Sequence, residues 1–341
     1  MNLYVVTFCL SAVLTGLSLP VLQRTVGRFL TDRPGGLKTH AKAVPMLGGC
    51  AIFMAVAGTL VLLRFTTNFP TGTLHSLRGV LGAGALIFAL GLVDDLRKPK
   101  GLPIGLRLAV QAAAACLLIY YGVYVQIFEQ NALNYVFTFF WLVGLTNAFN
   151  LLDIADGLCI SQAFFCTAGL FWIALPGEFR YVNLAAITLL GACAAFWPFN
   201  HARQKIFLGD SGATFLGFFI AALAMGTQYS RTNVYGYAAA LFIVIVPLLD
   251  TVFVVAARVL QGKNPLQGSN DHLALLLKKK WHLTDRTVLG LFILGAVAGS
   301  LIAYIITQIE ASHTLALCVL ASGGAGMFLL WLLQKLHTFA R

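Results

Sequence analysis

Apolar runs close to the length of a membrane span recur along the whole sequence and limit what this chain can fold into. About 20 apolar residues in a helix cross the hydrocarbon core of a bilayer. Only 10% of the residues are charged, whereas soluble domains carry about 25%. The sequence therefore predicts an all-α, polytopic membrane protein with about 11 transmembrane helices, or 10 if a weak segment is not a span. The segments are 3–23, 46–63, 79–93, 107–125, 132–149, 158–175, 182–198, 211–227, 234–257, 287–308 and 314–333.

Short loops on one side leave no room for a separate soluble domain, so we expect a single transmembrane domain over 1–341. The seven cysteines lie in or beside apolar runs and lack metal-ligand spacing. Buried thiols are therefore expected, and a disulfide framework is not.

Charged residues divide unequally between the two sides of the predicted membrane. With the N-terminus placed outside, 19 of the 23 Lys and Arg residues fall on the inner side, as the positive-inside rule requires. All nine aspartates also fall inside, and all three glutamates fall outside. Since the positive-inside rule does not sort acids, the aspartates need another explanation. The pattern predicts a multi-pass protein of the cell membrane with its functional face on the cytoplasmic side.

Several of these aspartates lie near the ends of apolar segments or, for Asp250, within one, where an acid is costly. A carboxylate in mid-membrane costs about 2.5–3.5 kcal/mol on insertion scales, so such residues are functional candidates. They are Asp94 and Asp95, Asp153 and Asp156, Asp210, and Asp250. A simpler interpretation stays open for each of three sites. Asp210 could be only a helix N-cap, and the Asp94–Asp95 pair could lie in a solvated loop. Asn150 could form an interhelical hydrogen bond. Asp32, Asp271 and Asp285 are expected to be surface residues.

Spacing suggests how some of these side chains act together. Asn147, Asn150, Asp153 and Asp156 recur every three residues. On a helix, adjacent members of this series share a face, whereas the full set does not. If the aspartates converge, mutual repulsion favours a bound divalent cation. Oxygen-only ligands favour Mg²⁺, or Mn²⁺, over Zn²⁺.

Four motifs follow one another over about residues 30–277. They are Asp32-Arg33-Pro34 with 42–49, Gly91-Leu92-Val93-Asp94-Asp95 with Gln111, 147–158, and 207–212 with its Gly-Asp-Ser-Gly sequence. Together they resemble the motifs of the polyprenyl-phosphate N-acetylhexosamine-1-phosphate transferases. That family includes the phospho-MurNAc-pentapeptide translocase of peptidoglycan synthesis and the UDP-GlcNAc:undecaprenyl-phosphate GlcNAc-1-phosphate transferases.

The resemblance implies a Mg²⁺-dependent enzyme in which a polyprenyl phosphate attacks the β-phosphorus of a UDP-sugar and releases UMP. Asp210 would be the principal metal ligand, and Asn150 and Asp153 would hold metal, pyrophosphate or nucleotide. Asp94 or Asp95 would deprotonate or position the lipid phosphate, and Asp153 is grouped with them as catalytic. Further substrate contacts are expected from Lys42, Asn147, Asp156, Arg203, Asp250, Arg258 and His272. The implied partners are a UDP-sugar, the lipid and the membrane; a homodimer stays open, and no nucleic acid is expected.

Several residues of the later motifs bear on which UDP-sugar the resemblance implies. The stretch 247–251, with Arg258 and 262–265, resembles the GlcNAc-1-phosphate branch. Ile154 stands where the family usually has glycine, and Ala274 and Leu275 replace later histidines of a cluster that begins at His272. That cluster is associated with UDP-sugar recognition in the family. GlcNAc is therefore expected, while MurNAc-pentapeptide or another UDP-HexNAc stays open.

Three other functional classes compete with this interpretation. An ion-coupled transporter would place its acids near the midplane, often with repeats and broken helices. A CDP-alcohol phosphotransferase would carry an Asp-Gly-x-x-Ala-Arg run, which the sequence lacks. A non-catalytic relative is the third alternative, because two histidines are missing.

Overall fold

The computed structural model of the protein describes residues 2–32, 43–67, 72–175, 180–202, 206–227, 229, 235–264 and 272–337. The structure is almost entirely helical in these ranges. The helices are α1 Asn2–Thr25, α2 Gly48–Thr66, α3 Thr73–Leu96, α4 Ile104–Tyr120, α5 Asn131–Leu152, α6 Leu158–Ala174, α7 Arg180–Trp197, α8 Gly209–Gly226, α9 Ala238–Ile243, α10 Ile245–Leu260, α11 Leu273–Trp281, α12 Asp285–Gln308 and α13 Ala311–His337. A π-helix covers Pro198–Ala202, and β1 Thr31–Asp32 pairs antiparallel with β2 Val44–Pro45.

The predicted all-α membrane architecture is confirmed. Each of the eleven apolar segments is helical over most of its described residues. Within the described ranges, seven helices are long and apolar enough to cross a bilayer, and α4, α6 and residues Ala311–Ala321 of α13 form shorter apolar helices. The third segment, predicted as short, belongs to a 24-residue helix. Its first turns carry polar residues, which hydropathy alone leaves out.

The prediction of one continuous helix over 234–257 is wrong for the described part of that segment. The chain breaks at Val244 between α9 and α10, with φ −103° and ψ 21° at that residue. Pro247 explains the break, because it lacks an N–H donor and its ring excludes the carbonyl four residues earlier, that of Ile243. Helix α11 was also missed, since its run of Lys278, Lys279 and Lys280 gives it no membrane-span signal.

The helices form two compact units, Met1–Gln228 and Tyr229–Arg341. In the first unit, α8 lies among α2, α3 and α5 and is buried along nearly its whole length. Two glycines allow this close packing. A Cβ on Gly91 would lie 2.5 Å from the Cα of Ser211, and one on Gly49 would lie 2.3 Å from the backbone nitrogen of Gly212. Small residues at such contacts let helix backbones approach closely.

In the second unit, α12 packs against α9 and α10. A Cβ on Gly299 of α12 would lie 2.3 Å from the carbonyl oxygen of Phe242 in α9, so this contact also depends on a glycine. Asp250 is buried on α10. The break at Val244 precedes it by less than two helical turns.

Candidate active site

Two of the sequence motifs contact each other directly through the backbone. The N–H of Phe207 donates to the carbonyl of Pro45 at 2.8 Å, and the N–H of Gly48 donates back to Phe207 at 3.0 Å. The N–H of Gly49 donates to the carbonyl of Leu208 at 2.9 Å. The start of α2 is thereby held beside the start of α8, although about 160 residues separate them in the chain.

Asp95 caps the first turn of α8. Its Oδ1 accepts the N–H of Asp210 at 2.9 Å, and its Oδ2 accepts the N–H of Ser211 at 3.0 Å. The side chain of Asp95 is fully buried. Gly209 precedes this turn with φ +78°, and a Cβ there would lie 2.7 Å from Asp95 Oδ2. A carboxylate at a helix N-terminus is favourable, so Asp95 fixes the position of Asp210.

The alternative that Asp210 caps its own helix is therefore wrong, because the cap comes from α3. The side chain of Asp210 instead contacts Lys98. The Lys98 ammonium lies 3.0 Å from Asp95 Oδ1 and 3.3 Å from Asp210 Oδ1. Although burial opposes it, these two carboxylates raise the pKa of Lys98 above its ordinary value, so the bridge is ionic. Sequence reasoning missed Lys98; its only signal was the position three residues after Asp95, on the same helical face.

Asp94 is paired with a different cation. Arg107, in the first turn of α4, places Nη2 2.7 Å from Asp94 Oδ2 and 2.9 Å from Oδ1. The N–H of Leu102 also donates to Asp94. Both Asp94 and Asp95 are buried, so the alternative of a solvated acidic loop is wrong. Arg107 was the second residue that sequence reasoning missed, since it looked like an ordinary inner-side arginine.

The four residues spaced by three divide between α5 and the turn after it, as the predicted segments 132–149 and 158–175 implied. Asn147 and Asn150 belong to α5, but the helix ends at Leu152, and Asp153 and Asp156 follow in a turn. Asn147 Nδ2 donates to Gln111 Oε1 at 3.0 Å. Asn150 Oδ1 is buried and accepts no hydrogen bond from the described residues. The interhelical bond considered for Asn150 is thus not made by this oxygen.

The turn after α5 is held by the π-helix. Gly157 has φ +79°, and its N–H donates to Asn200 Oδ1 at 2.8 Å. Asn200 Nδ2 donates in turn to the carbonyl of Ile206 at 3.3 Å. A Cβ on Gly157 would lie 2.9 Å from His201. Asn200 therefore connects the turn carrying Asp153 with the strand-like segment that leads into Asp210, a role that its sequence context did not reveal.

The neighbouring carboxylates affect the pKa of Asp153. Burial of its carboxyl group and the neighbouring Asp210 carboxylate raise the pKa of Asp153 to about 7. The Lys98 ammonium opposes the increase, while Asp95 and Asp156 add to it. Burial is the larger cause of the raised pKa, and the neighbouring carboxylates add to it. A bound cation would favour the ionised form of Asp153.

The donor set fits an incomplete oxygen site for a hard divalent cation. Asn150 contributes a buried amide oxygen without a described partner, and Asp153 and Asp210 contribute carboxylates that interact electrostatically. Over the described ranges, no three His, Cys, Asp or Glu side chains form a complete cation cage. Mg²⁺ is commonly bound by one or two carboxylates and completed by waters and substrate phosphates. The residues therefore fit Mg²⁺ better than a cation that needs a full protein cage.

The second unit contains a separate polar cluster. Asp250 Oδ2 lies 3.0 Å from His272 Nδ1, and Asp250 Oδ1 accepts the N–H of Leu273 at 2.9 Å. Asp250, His272 and Arg258 are all almost fully buried. The carboxylate thus fixes both the imidazole and the start of α11. Removing either partner would leave part of a buried carboxylate without a hydrogen bond, which is costly.

Two predicted substrate contacts, Lys42 and Arg203, lie outside the described residues. Asp271, which was expected at the surface, also lies outside them. Asp285 was expected at the surface, and its side chain is 71% exposed and paired with Lys278.

The fold and this cluster define a multi-pass helical membrane protein with a buried acidic site at the ends of its helices. The model of glycosyl transferase family 4 matches residues 77–228, which include the cluster from Asp94 to Asp210. This segment is similar to members of that family, and the relatives named below are GlcNAc-1-phosphate transferases.

Named relatives match most of the chain. A probable undecaprenyl-phosphate N-acetylglucosaminyl 1-phosphate transferase of Bacillus subtilis is 28% identical, over 86% of this chain and 82% of that protein. A decaprenyl-phosphate N-acetylglucosaminephosphotransferase of Mycolicibacterium smegmatis is 29% identical over 76% and 71%. An undecaprenyl-phosphate alpha-N-acetylglucosaminyl 1-phosphate transferase of Escherichia coli K12 is 26% identical over 83% and 77%.

Proposed function

We propose that this protein transfers GlcNAc-1-phosphate from UDP-GlcNAc to a polyprenyl phosphate, giving polyprenyl-diphosphate-GlcNAc and UMP. The observation that carries the proposal is that Asp95, Lys98 and Asp210 contact one another. Asp153 interacts electrostatically with all three. The names of the relatives support both the sugar and the lipid class.

The reaction exchanges one phosphorus–oxygen bond for another. An oxygen of the lipid phosphate bonds to the β-phosphorus, the bond from that phosphorus to the bridging oxygen breaks, and UMP leaves with the bridging oxygen. Both reactants are anions, so the site must neutralise charge and hold them in line. Asp210, Asn150 and Asp153 would hold the Mg²⁺ or Mn²⁺ ion, which supplies charge neutralisation on the diphosphate.

Asp94 and Asp95 suit positioning better than proton abstraction. Asp95 already accepts two backbone N–H groups, and Asp94 is paired with Arg107. A phosphate monoester has a second pKa near 6, so the lipid phosphate is mostly a dianion at neutral pH and requires no base. Arg107, held by Asp94 and about one-third exposed, is a suitable partner for that phosphate.

The site is proposed to face the cytoplasm, with the N-terminus outside. The 19 inner-side Lys and Arg residues support this orientation, and a nucleotide-sugar substrate requires access from that side. The eleven apolar segments would then all cross the membrane, with α9 and α10 together forming one broken span.

The proposal is tested by incubating the purified protein in detergent with undecaprenyl phosphate, Mg²⁺ and a panel of UDP-sugars. We expect release of UMP, and not UDP, with UDP-GlcNAc. No UMP from any UDP-HexNAc would count against the enzyme and favour a non-catalytic relative or a transporter. UMP from UDP-MurNAc-pentapeptide alone would correct the sugar.

Asp250→Asn is expected to keep partial activity, with a loss of about tenfold in the rate of UMP release. The asparagine can still accept the N–H of Leu273, but it no longer offers a carboxylate to His272 Nδ1. The measurement is steady-state kinetics with UDP-GlcNAc for Asp250→Asn, His272→Gln and the double variant.

If Asp250 acts through His272, the double variant should be no slower than His272→Gln alone, because the two changes remove one shared interaction. Additive losses would instead show that Asp250 and His272 contribute separately. Complete loss in Asp250→Asn would mean that Asp250 contacts the substrate.

A further inference from the structure

Lys98 forms ion pairs with two residues of the acidic cluster. Its ammonium lies between Asp95 Oδ1 at 3.0 Å and Asp210 Oδ1 at 3.3 Å, and 3.4 Å from the sulfur of Met46. Nothing in the sequence motifs assigned this lysine a role.

The Lys98–Asp95 and Lys98–Asp210 ion pairs differ in how easily each can be broken. Asp95 is fully buried and is held on its other side by two backbone N–H groups of α8. Asp210 is 26% exposed and Lys98 is 28% exposed, so the Asp210–Lys98 contact lies at the open edge of the cluster. Of the two contacts, the one with Asp210 is therefore the easier to break.

The same Asp210 carboxylate is the proposed metal ligand. A divalent cation on this carboxylate and an ammonium 3.3 Å from one of its oxygens are like charges at short range, and they repel. Lys98 and the metal should therefore compete for Asp210. Asp95, which is buried and lies 3.0 Å from the ammonium, can keep the lysine near the site after the exchange.

We infer that Lys98 is a built-in counter-ion of Asp210 that a divalent cation displaces, leaving the ammonium tethered to Asp95 and available to a substrate phosphate. The inference rests on the proposed function for the identity of Asp210 as a metal ligand. Lys98 would thus offset part of the negative charge of the acidic cluster before metal binds and act as a positioning residue afterwards. An ammonium is a suitable point charge for a phosphate.

The test is Mn²⁺ affinity, measured by the electron paramagnetic resonance signal of free Mn²⁺ in titrations of the detergent-purified protein. Lys98→Met removes the competing charge and should bind Mn²⁺ at least about fivefold tighter than the native protein. The thermal unfolding midpoint of Lys98→Met should fall in EDTA and recover with Mg²⁺. Lys100→Met is the matched control: Lys100 is exposed two residues further along, and its loss should leave Mn²⁺ affinity unchanged.

A second measurement uses the native protein, in case Lys98→Met does not fold. Lysine acylation is followed by mass spectrometry with and without Mg²⁺ alone. Acylation of Lys98 should rise several-fold when Mg²⁺ binds, whereas acylation of Lys100 on the same peptide should not change.

Unchanged or weaker Mn²⁺ binding by Lys98→Met, or constant acylation of Lys98 with bound Mg²⁺, would overturn the inference while leaving the proposed reaction intact. Failure of the native protein to bind Mn²⁺ at all would contradict the metal assignment in the proposed function, and the inference with it. The two failures are therefore distinguishable.

Discussion

Asp210→Asn should abolish turnover, lowering the rate of UMP release by about 10³-fold or more. The carboxylate is the proposed principal ligand of the divalent cation, whose charge stabilisation is worth several kcal/mol. An amide of the same shape removes the negative charge while leaving α8 capped, because the cap comes from Asp95. The measurement is UMP release at saturating UDP-GlcNAc and Mg²⁺, with the thermal unfolding midpoint recorded in parallel.

The control for Asp210→Asn is Asp285→Asn, an identical chemical change at the exposed start of α12. It should leave the rate within a factor of about two, since exposed ion pairs contribute little. Near-native turnover in Asp210→Asn would refute the metal assignment. Loss of folding in that variant would show that Asp210 also has a structural role.

Gly91→Ala is expected to destabilise the protein and to remove most of its activity. The three atoms nearest the added Cβ would all be backbone: the Cα of Ser211 at 2.5 Å, its nitrogen at 2.7 Å and the carbonyl oxygen of Asp210 at 2.7 Å. No side chain can move aside, so α3 and α8 must separate, which weakens the hydrogen bonds from α8 to Asp95. Overpacking of this kind costs about 1–3 kcal/mol. Thermal unfolding and UMP release are the two measurements.

Gly82→Ala on the same helix is the matched control. Its Cβ would meet nothing closer than a methyl carbon of Leu117 at 3.7 Å, which is ordinary contact. Because alanine favours a helix over glycine by about 1 kcal/mol, this variant should be as stable as the native protein or slightly more so. Equal behaviour of the two variants would mean that the close approach at Gly91 does not position Asp210.

The sequence predicted the parts of this molecule that depend on composition and on motif type. Apolar length located the helices, and the cost of burying acids selected Asp94, Asp95, Asp153 and Asp210 as site residues. The motif order also pointed to the family whose model matches residues 77–228. These features are local, so they can be inferred without knowing which helices are neighbours.

Features that depend on three-dimensional partners could not be inferred in this way. Lys98 and Arg107 looked like any other inner-side cations, and only packing shows that each holds one member of the aspartate pair. The spacing of Asn150 and Asp153 could not show how their side chains are arranged, because α5 ends between them. The break at Val244 could have been found, because Pro247 gave a local signal for it.

The most direct test of the account uses UDP-GlcNAc labelled with ³²P at the β-phosphate, together with undecaprenyl phosphate and Mg²⁺. The native protein should move the label into a lipid that partitions into organic solvent, and Asp210→Asn should not. Absence of lipid-borne label with the native protein, or equal labelling by the two proteins, would contradict the claim that acids from distant helices assemble one sugar-phosphate transfer site around Asp210.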